Sequence, residues 1–172
     1  MADRDTDNDR LEQAQADASI TRVFLVVVDE TDEWRAALRF ACRRAEHTGG
    51  RVALLHVIEP VDFQHWMSVE EVMRTELREE AEALMDRIAA EVNESTGQLP
   101  IIFLREGTVR EELLTLIDEE PNLSILVLGA STQSEGPGPL IQYLMTKGVS
   151  RLHIPVTVVP GSLADEEIDK LS

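Results

Sequence analysis

Glycines and hydroxyl side chains cluster in one loop, Gly129 to Gly138, between an apolar segment and a helical pattern. Ser131 and Thr132 open this loop, and Pro139 follows it, where the missing proline N–H costs the first turn of a helix nothing. Free backbone N–H groups at a helix start carry the positive end of the helix dipole and can bind an anion such as phosphate. The loop therefore predicts an anion site, although glycine-rich loops in α/β proteins also serve as plain turns.

Five apolar segments alternate with four segments of helical periodicity. The predicted strands are Val23–Val28, Val52–Ile58, Ile101–Leu104, Ile125–Leu128 and Ile154–Val159, with Gly129 ending the fourth. This alternation predicts an α/β fold, a doubly wound parallel sheet in the order 3-2-1-4-5 with helices on both faces. The class includes flavodoxin-like sandwiches and the adenine-nucleotide alpha-hydrolase-like domains.

The strand order predicts where a ligand would bind. Ligands of doubly wound sheets lie beyond the carboxyl ends of the strands, at the point where the strand order reverses. In this order the reversal falls between the first and fourth strands. Asp29 follows the first strand and the Gly129–Gly138 loop follows the fourth, so we expect both in one crevice.

The composition limits the partners. The 172 residues hold 16 Lys and Arg against 33 Asp and Glu, a net charge of −17, which disfavours nucleic acid and anionic membranes. We expect residues 1–20 to be an acidic flexible tail, 21–161 to be one domain, and 162–172 to be an acidic tail with a marginal helix. The single cysteine, Cys42, cannot form an intramolecular disulfide, and we see no signal peptide or apolar membrane span. These features predict a cytoplasmic protein.

Several segments resemble the universal stress protein family between Thr21 and Gly161. They are VVVDETDEWRAALRFA, LLHVIEP, REGTVREELLTLIDEE, ILVLGAS and GPGPLIQYLMTKGVSRLHIPVTVVPG. Many members bind ATP between the first and fourth strands through a glycine, two residues, a glycine, nine residues, a glycine, and Ser or Thr. Here nine residues separate Gly138 from Gly148, whereas the segment from Gly129 to Gly138 is longer than in the family and Val149 replaces the final Ser or Thr.

The resemblance implies ATP as the ligand, with or without Mg²⁺. The implied site residues are Asp29, Val57, Leu128, Gly129, Gly136, Gly138 and Gly148. Asp29 would hydrogen-bond the adenosine portion and Val57 would pack near the base. Leu128 and Gly129 would line the ribose, and the other glycines would allow close approach to the phosphates. The basic side chains best placed in sequence to offset phosphate charge are Arg105, Arg110 and Lys147.

The resemblance also implies a homodimer through the fifth strand, whose VTVV segment is uncharged and would suit an edge that pairs with a second copy. We recognise no nucleophile–base pair or metal cluster, so catalysis would be slow nucleotide hydrolysis at most. Two functions remain open. One is an ATP-binding regulatory protein of the stress response, and the other is a dimeric stress-response adaptor that binds no ATP.

Overall fold

The computed structural model describes residues 21–29, 31–60, 67–133 and 136–172. The expected tail at residues 1–20 lies outside this described part. Five parallel strands form the sheet: β1 (Val23–Val28), β2 (Arg51–Ile58), β3 (Ile101–Glu106), β4 (Leu123–Ala130) and β5 (Val156–Pro160). Their order is β3-β2-β1-β4-β5, which confirms the predicted doubly wound sheet.

Several strand ends differ from the prediction by one or two residues, including the end of β4 and the start of β5. β4 continues through Gly129, which pairs with Val159 of β5, so this glycine lies within the strand and does not end it. β5 begins at Val156 instead of Ile154. Pro155 precedes it and has no N–H to donate to the ladder, although its carbonyl accepts a 2.9 Å hydrogen bond from Leu126 N.

Helices cover both faces of the sheet. They are α1 (Trp34–Thr48), α2 (Met67–Thr96), α3 (Val109–Glu119), α4 (Pro139–Tyr143) and α5 (Asp165–Leu171). α1 ends at Gly49, whose φ of 66° is the left-handed conformation that favours glycine. α4 starts at Pro139 as predicted, then widens into a π turn over Leu144–Gly148 and a 3₁₀ turn over Val149–Arg151.

The core has two apolar layers, one on each face of the sheet. Side chains of β1 alternate between them because successive residues of a strand point to opposite faces. Phe24 and Val26 pack with α1 and α2, whereas Leu25 and Val27 pack with α3 and α4. The continuous burial of β1 follows from this double covering. Among the described residues, no helix combines the length and apolarity that crossing a bilayer would need.

The acidic C-terminal segment forms α5 and packs against α1. Ile168 is only 1% exposed and joins the layer that α1 and α2 cover. The Asp169 carboxylate accepts hydrogen bonds from Arg39 and Arg43 of α1 at 2.8 to 3.2 Å. An apolar contact, a shared carboxylate and an ion pair between Arg39 and Asp165 therefore help to join this segment to the domain.

Candidate ligand-binding cleft

A cleft of about 740 Å³ opens at the carboxyl ends of β1 and β4, where the strand order reverses. Its volume falls in the range typical of small-molecule sites. The cleft contains Asp29 after β1, Leu128 and Gly129 of β4, and the loop glycines Gly136 and Gly138. The other polar lining side chains are Thr31, Asp32, Glu33, Ser131, Thr132, Gln133 and Gln142.

Asp29 has its carboxylate held by the turn that follows it. Its Oδ1 accepts hydrogen bonds from the backbone N–H of Thr31, at 2.9 Å, and from the Thr31 hydroxyl. Such a turn, in which an Asp side chain bonds the backbone two residues later, fixes the side-chain rotamer locally. The carboxylate is therefore oriented before any ligand arrives.

Glu33 occupies the start of α1 and adds a second fixed charge to the cleft. A hydrogen bond from its own backbone N–H is the largest cause that lowers the pKa of Glu33, and the Ser131 hydroxyl adds to it. A carboxylate is also favourable at the positive end of a helix dipole. Glu33 therefore stays ionised beside the ligand space.

Gly129 and Gly161 let the start of α1 approach the sheet closely. A β-carbon at Gly129 would overlap the Glu33 carbonyl group and lie 2.8 Å from Trp34 N. A β-carbon at Gly161 would lie 2.6 Å from Glu33 Cγ. Both glycines thus serve strand–helix packing at the cleft wall, whether or not Gly129 also faces a ligand.

Gly136 and Gly138 serve the loop through their backbone conformation. Their φ values are 101° and 105°, a region that side-chain-bearing residues rarely adopt. A β-carbon at Gly136 would lie 2.8 Å from Gln142 Nε2, whereas one at Gly138 would meet nothing within 4 Å. The loop is drawn towards β4 by a 3.3 Å hydrogen bond from Ser131 N to the Pro137 carbonyl.

Two residues of the implied site do not line this cleft. Val57 is buried in the apolar layer beneath α3 and α4. Gly148 is buried at the end of the π turn, where a β-carbon would lie 3.2 Å from Leu144 Cδ2 and 3.4 Å from Tyr143 Cε1. With a φ of −87° it is not a left-handed helix cap either. Helix packing explains its lack of a side chain.

The charge of the cleft is negative. Asp29, Asp32 and Glu33 line it, and its described lining contains no Lys or Arg. Of the three basic residues that sequence singled out, Arg105 pairs with Glu119 at 2.6 Å and with Glu112 at 3.8 Å. Arg110 and Lys147 lie along a groove that adjoins the cleft.

Sequence reasoning left several lining residues unassigned, among them Thr31, Gln133, Gln142 and Gly161. Thr31 could have been found, because an Asp followed two positions later by Thr is a signal for the observed turn. Gln142 and Gly161 carried no comparable signal, since their positions depend on how α4 and the end of β5 meet the cleft. In the described part of the chain, no group of three or more His, Cys, Asp or Glu side chains is placed to hold a metal ion.

The sheet and its cleft define an α/β domain of the kind that takes ligands at a switch point. The model of the Universal stress protein family matches residues 21–160, and the chain belongs to that family. No curated protein matches the chain by sequence.

Solved structures agree on the fold. Universal stress protein UspA from Lactobacillus plantarum is 19% identical with a TM-score of 0.66, covering 80% of this chain and 97% of its own. The universal stress protein from Archaeoglobus fulgidus in complex with dAMP is 18% identical, with a TM-score of 0.56 and coverages of 81% and 97%. An Arabidopsis thaliana universal stress protein family protein with AMP bound is 16% identical, with a TM-score of 0.56 and coverages of 84% and 94%.

Proposed function

We propose that this universal stress protein binds an adenine nucleotide in the cleft between β1 and β4 and acts as a nucleotide-responsive regulator in the stress response. The supporting observation is that Asp29, Leu128 and the loop glycines meet in one cleft at the switch point. The structural relatives that hold dAMP and AMP support the same class of ligand. ATP is the nucleotide that the family pattern suggests.

The nucleoside end of the ligand is the part that matches the carboxylates of the cleft. Ribose hydroxyls are hydrogen-bond donors, and the oriented Asp29 carboxylate is an acceptor that a donor can reach without reordering the side chain. Leu128 and Ile141 supply apolar surface in the same cleft for a base. An uncharged nucleoside also avoids repulsion by Asp32 and Glu33.

The triphosphate of ATP requires charge compensation, because three carboxylates already line the cleft. Mg²⁺ is commonly held by one or two carboxylates together with the phosphates of a nucleotide, and it keeps several waters. Here the phosphates and waters would supply the oxygen ligands, and the ion would reduce the repulsion between the phosphates and the cleft carboxylates. We therefore propose that ATP binds here as its magnesium complex and that chelation of Mg²⁺ weakens binding.

Calorimetric titration of the nucleotide-free protein with ATP tests this proposal, with and without Mg²⁺, alongside chromatography of nucleotide released on denaturation. We expect micromolar binding that Asp29→Ala weakens about 10-fold, the scale of one hydrogen bond to a charged group. Asp86→Ala, an exposed acid on α2, is the matched control for the loss of one negative charge. No heat up to millimolar ATP would contradict the proposal.

The second candidate is a dimeric adaptor that binds no nucleotide. Two observations favour it: the acidic lining of the cleft, and the edge strand β5, where Val158 is 41% exposed. An apolar edge strand offers unpaired backbone groups to a second copy of the chain. A homodimer through β5 is compatible with both candidates, so nucleotide binding alone separates them.

A further inference from the structure

A second groove adjoins the cleft on the α4 side and encloses about 560 Å³. Arg110, Tyr143 and Lys147 line it. Cleft and groove share Pro137, Pro139, Ile141 and Gln142 as walls, so the two spaces meet along the start of α4. A single ligand of nucleotide size can therefore be in contact with both.

The two spaces differ in charge. The cleft is lined by carboxylates, whereas the groove carries the cations of Arg110 and Lys147. The Arg110 guanidinium stacks over the Tyr143 ring at 5.1 Å from its centroid. In the described part of the chain neither cation forms an ion pair, unlike Arg105, which is bound by Glu119. Two uncompensated cations thus lie next to three carboxylates.

We infer that this groove holds the phosphate of the nucleotide whose nucleoside end lies in the acidic cleft. The inference rests on the proposed function and deepens it by assigning an anion subsite. A phosphate inside the cleft would be repelled by Asp29, Asp32 and Glu33, whereas a phosphate in the groove gains attraction from Arg110 and Lys147. The field along the two spaces therefore orients the ligand.

Stacking on Tyr143 also restricts the Arg110 side chain before a phosphate binds to it. A guanidinium presents a planar fork of N–H donors that matches phosphate oxygens, and it can keep its aromatic contact while donating. Because the ring already restricts the side chain, less conformational freedom is lost when phosphate binds. A monophosphate such as AMP would then bind without a metal ion, whereas the longer anion of ATP would exceed what two cations offset.

The test compares adenosine with AMP by calorimetry in the presence of a metal chelator. The wild-type protein, the double variant Arg110→Gln/Lys147→Gln and the control Arg87→Gln/Lys170→Gln are titrated with each ligand. The control removes the same charge from α2 and α5 on the opposite face of the sheet. We expect the double variant to lose about 10-fold in AMP affinity, as for charged phosphate contacts, while adenosine changes less than about 2-fold. Arg110→Lys should retain part of the AMP affinity.

The outcomes separate the two proposals. If both ligands bind and the double variant binds AMP as tightly as the wild type does, the groove is not the phosphate subsite, although the proposed function stands. If neither adenosine nor AMP binds the wild type, the proposed function and this inference both fail. An equal loss of AMP affinity in the control variant would show that the protein's net charge causes the effect, and the proposed phosphate subsite would then be rejected.

Discussion

Gly129 of β4 lies directly against the backbone of Glu33 at the start of α1, with no room for a side chain between them. This contact brings the helix start and its carboxylates to the carboxyl end of the strand. The same contact forms one wall of the cleft, since Gly129, Glu33 and Trp34 all line it. Strand–helix packing and the shape of the candidate site therefore both depend on having a glycine at position 129.

Gly129→Ala should destabilise the fold. The new methyl group would overlap the Glu33 carbonyl and press on Trp34 N, and backbone cannot move aside as a flexible side chain can. We expect a loss of about 2 kcal/mol or more in the free energy of unfolding, measured by urea denaturation. Ser131→Ala, two residues further along, is the control and should change it by less than about 1 kcal/mol. Equal stability of Gly129→Ala and the wild type would show that the close approach is not required.

Asp169 should stabilise the docking of α5 in a pH-dependent manner. Hydrogen bonds from Arg39, and then from Arg43, hold the pKa of the Asp169 carboxyl well below its usual range. A group with a lowered folded-state pKa contributes stability above its unfolded pKa, about 4, and loses it as the pH falls further. The Tm of Asp169→Asn should therefore lie below that of the wild type near pH 7, and the gap should narrow below about pH 4.

Thermal unfolding followed by circular dichroism measures this gap across the pH range. Asp86→Asn, which removes an exposed carboxylate from α2, serves as the control and should show a smaller gap near neutral pH. A gap for Asp169→Asn that stays constant down to acid pH would contradict the assigned role of the ion pair.

Cys42 should be unreactive in the folded protein. Cys42 lies on the buried face of α1 and is 4% exposed, and burial raises the pKa of its thiol to about 11. Since the thiolate is the reactive form, both its scarcity and its inaccessibility slow alkylation. We expect no labelling by iodoacetamide near pH 7 until denaturant unfolds the chain. Rapid labelling without denaturant would mean that α1 opens readily.

The dimer proposal can be tested on the two edges of the sheet. Val158 on β5 and Ile102 on β3 are 41% and 40% exposed, so a lysine at either site alters an edge strand to a similar degree. If copies pair through β5, Val158→Lys should sediment as a monomer while Ile102→Lys remains a dimer. A dimer that survives Val158→Lys would place the interface elsewhere.

The sheet could be predicted from sequence because apolar runs such as Val23–Val28 are buried on both faces and alternate with helical patterns. Burial on both faces of the sheet also meant that the sequence could not show where the side chain of Val57 lies. β2 is apolar on both faces around Leu54 and Leu55, so no polar alternation shows which face Val57 takes. Val57 packs in the same layer as Val27 and Leu128, but β2 lies on the far side of β1 from β4, and Val57 is outside the cleft lining.

Residue spacing predicted the structure less well after Gly138 than it did for the strands. Counting nine residues to Gly148 treats the intervening segment as regular, but α4 widens at Leu144 into a π turn. Gly148 packs against Leu144 and Tyr143, and the residues of α4 that line the cleft lie at its start, from Pro139 to Gln142. The docking of α5 was also hidden, because Ile168 and Asp169 meet partners more than a hundred positions earlier in the chain.

The most direct test of nucleotide binding in the cleft is a crystal structure of the protein grown with saturating AMP. We expect density for the nucleoside between Asp29, Leu128 and Gly129, with the phosphate directed along the start of α4 towards Arg110. An empty β1–β4 cleft at saturating AMP, or a nucleotide bound at another surface, would contradict the account.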